Sequence, residues 1–98
     1  MKRIIVEPEA EADIAAACAW YDEQQPGLSI RFIERIEAAF ALAAERPHTF
    51  PFVHRLTQRV LVRQFPYLIL FQDLPDSILI IGVFHAARDP ISIRSRAE

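Results

Sequence analysis

The clearest pattern in the chain is a change of hydrophobic period near its middle. Ile14, Ala17, Cys18 and Tyr21 recur at i, i+3, i+4 and i+7, one apolar stripe of a helix. Pro8 opens that segment, with Glu9, Glu11 and Asp13 in its first turns, and a first-position proline with acids nearby favours a helix start. The spacing predicts a helix from Pro8 to about Gln24, stopped at Gln25-Pro26-Gly27. A second stripe follows at once through Leu28, Phe32, Ile36, Ala39, Phe40 and Ala43, and Pro47 ends it. So short a connection makes the two helices an antiparallel hairpin. Before them, Arg3 to Val6 is a short β-branched run, read as a first strand whose Lys2 and Arg3 protect an edge.

From Arg59 to Pro90 the period becomes that of strands. Three runs rich in Val, Ile, Leu and Phe are separated by Gln64-Phe65-Pro66 and by Asp73-Leu74-Pro75-Asp76-Ser77. They predict an antiparallel three-strand meander. The fold class is therefore α+β: an N-terminal strand, an antiparallel helix hairpin, then the meander. Between hairpin and meander, His48 to Gln58 reads as a loop around Phe50-Pro51-Phe52, and the residues after Pro90 read as a poorly ordered tail.

The meander is apolar on both faces. Tyr67, Ile69 and Phe71 point one way and Leu68 and Leu70 the other; Ile78, Ile80 and Phe84 alternate with Leu79, Ile81 and Val83. One helix hairpin covers one face of a small sheet. The second face needs the loop and the tail, or another chain, and an uncovered apolar face marks an interaction site. The expected partner is a protein.

Ninety-eight residues make one domain, residues 1–98, with one core. The single cysteine, Cys18, excludes an internal disulfide and a cysteine metal cluster. Only three apolar residues separate Arg3 from Glu7, against roughly 7–15 for a secretory signal core. The longest apolar run, Ile78 to Phe84, is far short of the roughly 18 residues of a membrane span. A cytoplasmic protein without a membrane partner is expected. The net charge of −2 is divided: residues 1–46 carry −4, and residues 47–98 carry +2 with Arg as the only strong cation. The meander side would meet an acidic partner, and nucleic acid would be met only indirectly.

Few residues suggest chemistry. Arg59 and Arg63 share a strand face, as a phosphate- or carboxylate-binding pair or as charges that keep an edge solvated. His85 closes the last strand, as a general acid or base or as a structural histidine bonded to backbone. Arg88 and Asp89 before Pro90 form a turn, or place an arginine at the mouth of a site. Arg94 and Arg96 lie in the tail, and Trp20 and Tyr21 read as core aromatics. His48, His54 and His85 fit no metal-ligand spacing, so no metal is expected. With only Gly27 and Gly82, no glycine-rich phosphate loop is present, and no cofactor is implied.

The order of elements, with Trp20-Tyr21, Pro26-Gly27-Leu28, Pro47, Phe50-Pro51, Phe65-Pro66-Tyr67 and Val83-Phe84-His85-Ala86-Ala87-Arg88-Asp89-Pro90, resembles the RelE/ParE superfamily of type II toxin–antitoxin toxins. That resemblance implies a toxin neutralised by a cognate antitoxin, whose disordered segment folds on binding and supplies cover for the second sheet face. RelE-like members cut mRNA on the ribosome without metal; ParE-like members inhibit DNA gyrase. Relatives often carry arginine where this chain has Leu68, the Arg59–Arg63 strand lacks lysine, and no tyrosine follows His85. A nuclease would have to use His85 with Arg59, Arg63 and Arg88. The departures favour a ParE-like gyrase inhibitor over a ribosome-dependent nuclease or a non-toxic antitoxin-binding relic. Arg59, Arg63, Leu68, Leu70, His85, Arg88 and Arg94 are the expected partner contacts.

Overall fold

A computed structural model describes residues 2–98. The elements run β1 (Arg3–Val6), α1 (Pro8–Gln24), α2 (Leu28–Glu45), a 3-10 turn (Pro47–Thr49), β2 (Phe52–His54), β3 (Thr57–Leu61), β4 (Tyr67–Asp73), β5 (Ser77–His85) and α3 (Pro90–Ala97). The strands form one sheet in the order β1-β5-β4-β3-β2, with β1 parallel to β5 and the other neighbours antiparallel. The expected meander is β3-β4-β5, extended by a strand on each side.

Local chemistry explains the hairpin. Pro8 begins α1 without the loss of a backbone donor, and Glu9 and Glu11 lie in its first turn. Gly27 takes φ 86° between the helices, a left-handed conformation that a side chain disfavours. Asp22 braces the joint by accepting from the Ser29 N–H at 2.9 Å and from its hydroxyl at 2.7 Å. Those two donations hold the Asp22 carboxyl below its ordinary value.

The hairpin covers one face of the sheet. Phe32, Ile36 and Ala43 on α2 and Ala10 and Ala17 on α1 pack with Val60, Ile69, Phe71, Ile78, Ile80 and Val83. Tyr21, Phe32, Phe65 and Tyr67 form an aromatic cluster, with Phe32 centroids 5.2 Å from Phe65 and 5.1 Å from Tyr67. Each such pair adds about 0.5–1.5 kcal/mol beyond the area it buries.

The centre of the opposite face is covered by this chain itself, while Leu61 at the end of β3 stays exposed. Residues 90–97, expected as a loose tail, form α3, and its Ile93 and Ala97 pack on Leu68, Leu70, Leu79, Ile81 and Phe84. Thr57 ties α3 down: its hydroxyl donates to the Ala97 carbonyl at 3.2 Å and accepts from Gln72 Nε2 at 3.2 Å. The expected loop also contains structure, since β2 pairs with β3. Buried Gln58 anchors it by donating to the carbonyls of Pro47 at 2.6 Å and Phe50 at 3.0 Å.

One face assignment differs from strict alternation. Leu70 pairs with Gly82 but Phe71 with Ile80, so Ile81 is an extra residue in β5. This bulge reverses the phase beyond it. Val83, not Phe84, therefore faces the hairpin, and Phe84 lies under α3. The close packing there explains Gly82: a methyl built on it would stand 2.5 Å from the Phe84 ring and 3.2 Å from Arg96 Nη1.

Three outcomes follow. Leu70→Ala, at a fully buried position under α3, lowers stability by about 2–5 kcal/mol in urea denaturation. Gly82→Ala costs about 1–3 kcal/mol by forcing the Phe84 ring aside, and an unchanged midpoint would contradict the packing described. The Asp22 brace is pH-dependent. Its folded value is depressed, so its contribution is complete above the unfolded value near 3.8 and is lost as pH falls through the folded one. The stability gap between Ser29→Ala and the parent therefore narrows in acid.

Candidate functional site

Beyond the Val6–Ile80 pairing, β1 gives way to α1, and the edge of β5 loses its strand neighbour. Side chains take over. Asp13 Oδ2 accepts from the Val83 N–H at 3.0 Å, and Arg96 Nη1 donates to the Ile81 carbonyl at 3.1 Å. The two side chains bond to each other, Nη1 to Oδ2 at 3.0 Å and Nη2 to Oδ1 at 3.4 Å. Arg96 also lies 4.8 Å over the Phe84 ring. One forked ion pair thus completes a sheet edge and joins α1, β5 and α3.

Next to this pair a cleft of about 430 Å³ opens between α1, the end of β5 and α3. Its outer wall is Trp20 with Arg88, whose guanidinium carbon sits 5.0 Å above the indole. Trp20 is 42% exposed, so of the two aromatics expected in the core only Tyr21 is there. Tyr67 forms the floor. Burial pushes the hydroxyls of Tyr21 and Tyr67 above the ordinary phenol value, with the Arg88 charge acting the other way. Both stay protonated near neutrality. The Cys18 thiol is likewise pushed up, first by burial and then by Asp22, and is a poor nucleophile.

His85 closes β5 outside the cleft lining, edge-on to Tyr67 at 5.4 Å. Its Nδ1 accepts the backbone N–H groups of Ala87 at 3.2 Å and Arg88 at 3.1 Å, and the His85 backbone N–H donates to Asp89 Oδ2 at 3.2 Å. A ring nitrogen that accepts two backbone donors has no lone pair to offer a substrate. His85 shapes the turn that presents Arg88.

The other candidates lie elsewhere. Arg59 lines a depression with Phe52, Leu68 and Ile93. Arg63 follows the end of β3 and lines another with Arg35, Leu42 and Leu61. Arg94 stands beside His54 and Pro90. The structure brings His85 and Arg88 together but does not gather Arg59 or Arg63 around them. Leu68 and Leu70, expected as partner contacts, are buried, 6% and 0% exposed, under α3, so in this arrangement they are core. No group of three or more His, Cys, Asp or Glu suited to a metal occurs among the described residues. No helix among them is long and apolar enough to cross a membrane.

Sequence reasoning passed over Asp13 and the role of Arg96. One signal was present: Asp13 falls three residues after Ala10 and four before Ala17, inside the stripe that α1 turns to the sheet. An acid there needs a donor. Arg96→Ala removes it and leaves the Asp13 carboxylate and Ile81 carbonyl short of a partner. The expected loss is about 1–3 kcal/mol. Arg96→Lys restores only part, because one ammonium cannot reproduce the fork. Urea denaturation of both variants checks this, and equal stability of Lys and Arg would contradict the geometry.

The model of a family described as the ParE toxin of type II toxin-antitoxin system, parDE, matches residues 4–90. Among solved structures, a chain titled "Chromosomal ParDE TA system from P. aeruginosa" superposes with a TM-score of 0.76 at 15% identity, covering 87% of this chain and 96% of that one. No curated protein matches. At that identity the solved structure speaks for the α+β fold alone. The family match runs from β1 through the first residue of α3, and on it this chain belongs to the ParE toxin family of type II toxin–antitoxin systems.

Proposed function

We propose that this protein acts by binding and inhibiting a target protein, DNA gyrase, and that a cognate antitoxin neutralises it. Family membership over residues 4–90 supports the toxin role. The observation that carries the mode of action is the scatter of the four residues a nuclease would need. Metal-free RNA cleavage requires a base, an acid and cations converging on one phosphate. Here His85 Nδ1 is held by two backbone N–H groups, while Arg59 and Arg63 line separate depressions away from Arg88.

The Arg88–Trp20 platform suits protein recognition instead. Binding hot spots are rich in Trp, Tyr and Arg. Trp20 offers a broad, half-open indole, and the Arg88 guanidinium sits over it. Among the described residues no acid forms an ion pair with Arg88, and a carboxylate of the target would supply that charge partner.

The test is a supercoiling assay with purified gyrase and the full chain. Inhibition is expected at stoichiometric protein, with Arg88→Ala weaker by at least about tenfold, the size of a hot-spot loss near 2 kcal/mol. Untouched supercoiling at excess protein would defeat the gyrase reading. Cleavage of translated mRNA, abolished in His85→Ala, would favour the ribosome-dependent nuclease.

A further inference from the structure

Tyr67 is core by burial but not by hydrogen bonding. It is 7% exposed, its ring packs in the aromatic cluster, and yet it lines the cleft with Arg88 and Trp20. Among the described residues its hydroxyl donates to no acceptor, and no fully enclosed polar side-chain atom is left without a partner. The hydroxyl oxygen is therefore open to the cleft. The polar group beside it is the Arg88 guanidinium, which carries donors only. Burial keeps the phenol proton in place near neutrality, so Tyr67 presents a donor as well.

Neither acid of the lining answers these donors. Asp13 is occupied by Arg96 at 3.0 Å and by the Val83 N–H at 3.0 Å. Asp89 accepts from the His85 backbone N–H at 3.2 Å, and its charge reaches Tyr67 through space without a bond. A guanidinium and a phenol thus share one end of the cleft with no acceptor between them. That arrangement is complementary to an anion, since hydrogen bonds to an ionised acceptor are the strong ones.

Charge and shape narrow the choice of anion. Arg96 and Asp13 cancel each other, which leaves Arg88 with Asp89 nearby. One cation with an acid beside it suits a single negative charge, whereas a doubly charged phosphate would be repelled by Asp89. The walls supplied by Ala17, Val83, Phe84 and the Trp20 indole are apolar. The volume of about 430 Å³ falls within the range of ligand clefts, roughly 300–1,000 Å³. A carboxylate on an aliphatic stem fits both the donors and the walls.

We propose that Tyr67 is a ligand-binding residue, and that its hydroxyl and the Arg88 guanidinium together hold one carboxylate, that of a glutamate side chain of the target protein. Which protein brings the glutamate rests on the gyrase reading; the pair of donors does not.

Trp20 is the only tryptophan, so intrinsic fluorescence reports this cleft. The full chain is titrated with N-acetylglutamate α-amide, and with N-acetylglutamine α-amide and inorganic phosphate for comparison. The glutamate probe is expected to give a saturable change, the glutamine probe none, and phosphate a weaker one. Tyr67→Phe deletes the hydroxyl and keeps the ring. It raises the half-saturating concentration at least about tenfold, the size of a lost hydrogen bond to a charged group. Arg88→Ala abolishes the response. The urea midpoint of Tyr67→Phe stays at the parent value, because the hydroxyl has no acceptor within the chain to lose. A purely structural hydroxyl gives the reverse, lower stability with unchanged binding, and that result would overturn the proposal. So would no response to the glutamate probe, equal response to the glutamate and glutamine probes, or tighter binding of phosphate. Supercoiling by gyrase is scored separately. Tyr67-dependent probe binding without gyrase inhibition defeats the gyrase reading alone. Equal inhibition by the parent and Tyr67→Phe, with probe binding also unchanged, defeats this inference alone.

Discussion

A sheet whose central strands are apolar on both faces cannot stand with one face bare. In β4 every residue from Tyr67 to Phe71 is buried, and the side chains alternate between the two faces. The helix hairpin covers one layer, and a second cover is required. Here α3, eight residues long, meets that requirement with Ile93, Ala97 and the flat guanidinium of Arg96 over Phe84. The placement of the Arg88 cleft follows from it: the cleft lies where α3 begins beside α1.

So small a cover holds because it is bonded at both ends to the elements beneath. At its C-terminus the Thr57 hydroxyl takes the Ala97 carbonyl, and Arg96 reaches across β5 to Asp13 on α1. The Arg96 contact depends on the Ile81 bulge. The extra residue turns the Val83 N–H and the Ile81 carbonyl toward the edge that β1 has left, where Asp13 and Arg96 bond them. At the other end, the His85 ring binds the turn that leads into α3 and holds Arg88 over Trp20. One irregularity in β5 thus links sheet edge, helix cover and exposed arginine.

Much of this was legible in the sequence, for reasons that differ by element. The helix limits at Pro8, Gln24 and Leu28 could be read because proline and glycine punctuate them and the stripes are long. The three meander strands were visible because Pro and Asp bound each run. β2 was not, because three residues after Phe50-Pro51 carry no period of their own. α3 was missed because only two of its residues pack inward, which leaves little apolar stripe to detect. The bulge could not be seen at all. In Ile78-Leu79-Ile80-Ile81 every residue is apolar, so the sequence carries no phase to reveal a slip. Trp20 was placed in the core on residue type, whereas α1 turns Tyr21 inward and leaves its neighbour outside.

The family match and the geometry address different questions. The match identifies a toxin of a two-protein module; the geometry describes a molecule whose central strands are covered on both faces, with Arg59, Arg88 and Arg94 at its surface. The central structural claim is that α3 itself closes the second face. Amide hydrogen exchange of the free chain tests it most directly. The account predicts that Leu68 to Phe71 exchange only through global unfolding, and that Ile93 to Ala97 exchange through a smaller opening but well below coil rates. Exchange of the α3 amides at coil rates, with β4 unprotected on that side, would contradict it and leave an open apolar face to be covered by a partner.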